Sequence, residues 1–100
     1  MLYSFYNIDS PGKDLRMALR PAHREYLAQF AERFAFAGPL LGEDGVTPIG
    51  SLLVIDFDSA QEADAFIKAE PYTAGGLYSS ISIRPFVNLW KQRKGFPEPR

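Results

Sequence analysis

A chain of 100 residues, 46% hydrophobic and 14% aromatic, holds one folded domain with its own core and leaves no room for a second. The formal net charge of −1 lacks the basic excess of a nucleic-acid binder, and the absence of cysteine excludes a disulfide framework, a thiolate nucleophile and a cysteine zinc site. A single histidine forms no imidazole cluster around a metal. No apolar run approaches the ~20 residues that span a bilayer. Met1-Leu2-Tyr3-Ser4-Phe5 also lacks the basic start and long apolar core of a signal peptide, so a soluble cytoplasmic protein is expected.

Residues 2–9, LYSFYNID, are short, aromatic-rich and partly alternating, and Pro11-Gly12 closes them, which predicts a first strand. From Asp14 to Phe34 the period changes. Leu15, Leu19, Ala22, Tyr26, Phe30 and Phe34 recur every three or four residues within one helical arc, and Arg16, Arg20, Arg24, Glu25 and Glu32 mostly fall outside it. Pro21 cannot donate into the preceding turn. Either a short lead-in turn ends at Arg20 and the main helix starts with Pro21, which is the preferred reading, or one helix kinks there.

Residues 34–41, FAFAGPLL, predict a second strand in which Gly38-Pro39 suits an edge position or a bulge. Residues 42–48, GEDGVTP, have the chemistry of a hairpin loop, and residues 50–57, GSLLVIDF, predict the third strand. Ser59-Ala60-Gln61-Glu62 fits a capping box that opens a helix running to about Ala69. Ala63, Phe66 and Ile67 face inward, and Pro71 stops it. Tyr78 to Val87 alternates around Ile81 and Ile83, a fourth strand. The order β-α-β-β-α-β is that of a ferredoxin-like α+β domain with an antiparallel sheet, here residues 1–90. In the basic tail, residues 91–100, Lys91, Arg93, Lys94 and Arg100 outweigh Glu98 by +3. It is expected to be solvated, unless Leu89, Trp90 and Phe96 dock on the domain or a partner. A domain this small buries a modest share of its surface, and pairing with a second copy is a natural way to cover a sheet face.

His23 falls on the helical wheel between Phe30 and Phe34, inside the apolar arc. It reads either as a core histidine satisfied by one hydrogen bond, or as a general acid or base set near neutrality by partial burial and an adjacent carboxylate. Glu70 ends the second helix, where negative charge is mildly unfavourable; it is an exposed carboxylate or the partner of His23. Arg20, one turn from His23, makes a surface salt bridge or holds an anionic substrate by a bidentate contact. Ser51 has no activator other than His23 and reads as a ligand-binding or structural hydroxyl. Tyr3, Phe5 and Tyr72 belong to the core or line an apolar pocket. Gly75-Gly76 lacks the Lys-Ser/Thr ending and the strand-to-helix setting of a phosphate loop.

Several spaced motifs converge: Arg20-Pro21-Ala22-His23, Ala37-Gly38-Pro39-Leu40-Leu41, Gly50-Ser51, Glu70-Pro71-Tyr72, Ala74-Gly75-Gly76-Leu77 and Ile83-Arg84-Pro85-Phe86. In this order and spacing the chain resembles the YCII-related family over roughly residues 1–90. The resemblance implies a ferredoxin-like homodimer whose sheets pack face to face, the dimeric αβ-barrel shared with muconolactone-isomerase-like proteins. In the family, the helix histidine and the carboxylate of an Asp-Pro-Tyr-type motif form a catalytic pair, which maps onto His23 and Glu70. Here glutamate replaces the usual aspartate, and its extra methylene moves the carboxyl by about 1.5 Å.

One branch of the family removes chloride from chlorinated hydroxyhydroquinones in aromatic degradation. The resemblance therefore implies a lyase- or isomerase-type acid–base enzyme without cofactor or metal. Its catalytic residues would be His23 and Glu70, and Arg20, Ser51 and Tyr72 would contact a small aromatic substrate. The competing expectation is a non-catalytic dimer that binds a small ligand or a protein partner. RNA binding on the sheet is disfavoured, because the RNP-type aromatic pattern is missing and the domain before its tail is acidic.

Overall fold

Alternation along the first strand sends Tyr3, Phe5 and Asn7 to one face and leaves Tyr6 half exposed on the other. That inward row seeds the core. The computed structural model describes residues 1–12 and 14–96. Strand β1 (Leu2–Asp9) leads to helix α1 (Arg16–Ala28), a 3-10 turn (Ala31–Arg33), β2 (Phe34–Leu41), β3 (Pro48–Asp56), helices α2 (Ala60–Ala69) and α3 (Pro71–Ala74), and β4 (Tyr78–Phe86). The strands form one antiparallel sheet in the order β2-β3-β1-β4, so the chain has the expected α+β, ferredoxin-like architecture. Pro39 lies on edge strand β2, where its missing donor costs no central ladder bond.

The core lies between the sheet and the helices. Tyr3 and Phe5 of β1 register with Ile55 and Leu53 of β3, and these four pack with Phe57, Ala63, Phe66 and Ile67. Phe66 sits amid a ring cluster, 5.4 Å from Phe5, 4.9 Å from Phe30 and 5.2 Å from Phe57 between centroids. Such edge-on contacts add to the area buried by each ring. Tyr3 and Phe5 are thus core residues. Helix α1 contributes Tyr26 and Leu27 only as partly buried neighbours of the cluster.

The structure corrects the first helix in two places. Pro21 lies inside one continuous helix beginning at Arg16, so there is no separate lead-in turn. The amide missing at Pro21 would have bonded the carbonyl of Met17, a residue 71% exposed, where water substitutes for the lost donor. The helix also ends at Ala28, and Phe30 and Phe34 reach the core from a 3-10 turn and the start of β2. Their helical spacing was a coincidence of two segments meeting one core.

The second helix starts as expected, with Ser59 Oγ accepting from the Glu62 amide at 3.2 Å. Glu62 reciprocates one residue earlier, accepting from the Asp58 amide at 3.1 Å. Pro71 both stops this helix and opens the short α3.

Beyond β4, Leu89 and Trp90 are exposed and not docked on the domain. Glu98 and Arg100 of the expected basic tail lie outside the described residues. Among the described residues, no helix is long and apolar enough to cross a membrane.

Candidate active site

At one end of the sheet the inward rows turn from apolar to polar. On β1 the row runs Tyr3, Phe5, Asn7; on β3 it runs Ile55, Leu53, Ser51, and Asn7 registers with Ser51. Both polar residues are buried. The first turn of α1 and the start of α3 close over this end and bring charged groups to it.

His23 Nδ1 meets Glu70 Oε1 at 2.5 Å, and the histidine side chain is 13% exposed. Glu70 is fully buried, against the base rate for glutamate. Its position explains how a carboxylate at the end of α2 is tolerated. The same Oε1 accepts the Tyr72 amide at 3.1 Å and caps α3, whose N-terminal amides favour negative charge. The Tyr72 ring then stacks on the His23 ring, with centroids 3.7 Å apart. Because a carboxylate only accepts, Nδ1 carries the hydrogen, and Nε2 is left as the basic nitrogen of the neutral ring.

A second network lies beside the first. Arg16 Nε and Nη2 bind the two oxygens of Asp9, each at 2.9 Å. Nη2 also donates to the Gly50 carbonyl at 2.9 Å and to Ser51 Oγ at 3.1 Å. Burial opposes the Arg16 charge, yet the hydrogen bond to Asp9 and its charge outweigh that and raise the guanidinium pKa. The Arg16 guanidinium lies 4.9 Å from the Tyr72 ring centroid.

Tyr78 donates its hydroxyl to Ser51 Oγ at 2.9 Å, and burial pushes the Tyr78 phenol well above its ordinary range, which keeps the donor protonated. Both neighbours of Ser51 Oγ are donors, with Arg16 sharing the two hydrogens of Nη2 among three acceptors, so the serine proton is left to donate. That arrangement suits a hydrogen-bond donor and not a nucleophile.

These groups border a cavity of about 420 Å³, a volume suited to a small organic ligand. Arg16, Arg20, His23, Arg24 and Ser51 form its polar side; Leu27, Leu53, Pro39, Pro48 and Tyr72 supply apolar surface. Thus every residue expected at the site, His23, Glu70, Arg20, Ser51 and Tyr72, lies on the cavity or in contact with a residue that does. A second hollow of about 340 Å³ among Tyr26, Phe30, Phe57 and Phe66 carries no such acid–base pair.

Arg16, Asp9, Asn7 and Tyr78 were missed from the sequence. For Asn7 a signal existed, since a polar residue continues the inward phase of Tyr3 and Phe5. Its amide nitrogen and oxygen, like Glu70 Oε2, have no hydrogen-bond partner among the described residues. The Arg16–Asp9 pair had no signal, because residues 10–15 separate two elements whose angle the sequence does not encode.

The sheet order, the covering helices and the cavity define a ferredoxin-like α+β domain with an imidazole–carboxylate pair beside a ligand-sized hollow. The chain belongs to the YCII-related family, whose domain model matches residues 1–87. It is 35% identical to protein YciI of Escherichia coli and to protein YciI of Shigella flexneri, over 90% of this chain and the whole of each relative. Among solved structures it is similar to 5-chloro-2-hydroxyhydroquinone dehydrochlorinase (TftG) from Burkholderia phenoliruptrix AC1100 in complex with 2,5-dihydroxybenzoquinone. The TM-score is 0.81 at 28% identity, covering 87% of this chain and 94% of that one.

Proposed function

We propose that this chain is a small acid–base enzyme that acts on a quinol-like aromatic substrate, with dehydrochlorination of a chlorinated hydroxyhydroquinone as the reaction. The observation that carries this reading is the His23–Glu70 contact. It commits Nδ1 to the carboxylate and leaves Nε2 basic beside the cavity. Similarity to the dehydrochlorinase supports the substrate class.

In the proposed reaction, His23 Nε2 takes one phenolic proton from the substrate and returns it to the ring carbon that bears chlorine, giving a keto tautomer. Ser51 donates its hydrogen bond to the oxygen that becomes the carbonyl. His23 then takes a second phenolic proton. The electron pair moves through the ring, the C–Cl bond breaks, and chloride leaves with its bonding pair. The ring ends as a hydroxyquinone, and the second proton passes to solvent. The balance is loss of HCl; oxidation of the ring is matched by reduction of the C–Cl bond, so no external oxidant or cofactor is required. Glu70 orients the imidazole and stabilises it when protonated. Arg20 and Tyr72 hold the substrate.

We further propose that the working form is a homodimer joined through the sheet face opposite the helices. Tyr6, Leu52, Leu40, Phe36 and Phe86 fall on that face by register, alongside Ser4, Ser82 and Arg84, so an apolar patch lies on the side that the helices leave uncovered. A second copy offers the same apolar face and buries both.

Chloride release from 5-chloro-2-hydroxyhydroquinone by the purified protein tests the reaction. His23→Ala is expected to lower kcat/KM by roughly 10²–10⁴. No chloride release by the wild type from this quinol or from its ring-carboxylated analogue, or an undiminished rate in the variant, would refute it.

A further inference from the structure

We infer that the substrate carries a carboxylate on its ring, held by Arg20 and Arg24 at the mouth of the His23 cavity. This rests on the acid–base reading of that cavity and narrows its substrate class. Arg16, Arg20 and Arg24 are spaced four apart, so α1 sets three like charges on one face, an arrangement that is unfavourable by itself. All three border the same cavity.

Their situations differ. Arg16 is neutralised by Asp9, and its Nη2 is further engaged by the Gly50 carbonyl and Ser51. Arg20 and Arg24 form no ion pair with any of the described residues. The carboxylate beside His23, Glu70, is fully buried and committed to His23 and the Tyr72 amide. A chain whose overall charge is −1 thus has an excess of positive charge at this one opening.

The cavity's polarity orients the ligand. Leu27, Leu53 and Pro39 suit a ring, and the reacting hydroxyls belong inside, beside His23 and Ser51. An anionic substituent then projects toward the exposed arginines, whose planar forks match a carboxylate.

Isothermal titration with two matched probes, 2,5-dihydroxybenzoate and hydroquinone, tests this. The acid is expected to bind about tenfold or more tightly than hydroquinone, with a preference that shrinks as salt is added. In the double variant R20Q/R24Q the ratio of affinities should fall to within about twofold, with the circular dichroism spectrum unchanged. Equal affinities, no measurable binding of 2,5-dihydroxybenzoate, or a preference that survives both substitutions would overturn it. The ratio is read without turnover. Failure of the chloride assay and failure of the carboxylate clamp are therefore separate results.

Discussion

The His23 ring lies parallel to the Tyr72 ring, with centroids 3.7 Å apart and planes 8° from parallel, and one oxygen of Glu70 holds both residues. That oxygen accepts from His23 Nδ1 and from the Tyr72 amide, so the carboxylate that orients the imidazole also starts the helix on which it stacks. The orientation of the imidazole and the start of α3 share one atom. Glu70→Ala is expected to cost about 3 kcal/mol in urea unfolding, because it breaks a buried pair and removes a helix cap together. In the wild type, ring-nitrogen NMR should find the neutral His23 imidazole with its hydrogen on Nδ1. Glu70→Ala should lose that preference.

Arg16 and Asp9 join the start of α1 to the end of β1, and their side chains are only 18% and 13% exposed. Shielded from solvent, a two-pronged pair is worth more than a surface bridge. A double-mutant cycle with Arg16→Met and Asp9→Asn should give a coupling energy of about 1–3 kcal/mol. A value below about 0.5 kcal/mol would place the pair among ordinary surface bridges.

Gly50 passes so close to β1 that an added Cβ would lie 2.3 Å from the Asn7 carbonyl oxygen, backbone that cannot swing aside. Gly38, on edge strand β2, has nothing within 4 Å of the same position. Gly50→Ala is expected to cost about 2 kcal/mol or more in chemical unfolding, and Gly38→Ala less than about 0.5 kcal/mol. Similar costs at both positions would contradict this packing.

Burial raises the Tyr78 phenol, so the native state holds that proton to higher pH than the unfolded chain does. The resulting stability is fully present below the unfolded value of about 10 and is lost as pH rises through the native one. Urea midpoints measured at rising alkaline pH should fall in the wild type. They should fall less steeply in Tyr78→Phe, which has no proton to lose there.

Tyr6 is 50% exposed at the centre of the outer sheet face, on β1. Tyr6→Lys places a charge where the proposed dimer closes and should shift light-scattering mass from dimer to monomer without changing far-ultraviolet circular dichroism. A wild type that is monomeric at micromolar concentration would refute the assembly.

Element order and strand edges were legible in the residues, because period-two and three-to-four-residue patterns, the Ser59–Glu62 box and edge proline Pro39 act over a few residues each. The first helix was misjudged where that locality ended. Phe30 and Phe34 kept helical spacing after the helix had stopped, and Pro21 was tolerated inside it because its lost acceptor faces water.

His23 was legible as a candidate from its place in the apolar arc, and Glu70 from the family motif. The cap that Glu70 makes on α3 spans only two residues, but neither local pattern revealed that the same oxygen meets His23, since this needs α3 to fold against α1. The Arg16–Asp9–Ser51–Tyr78 network joins four elements distant in sequence. Its distances follow from how α1 and β4 meet the β1–β3 pair. Short-range periodicity encodes which elements form; long-range packing alone decides which polar groups those elements bring face to face.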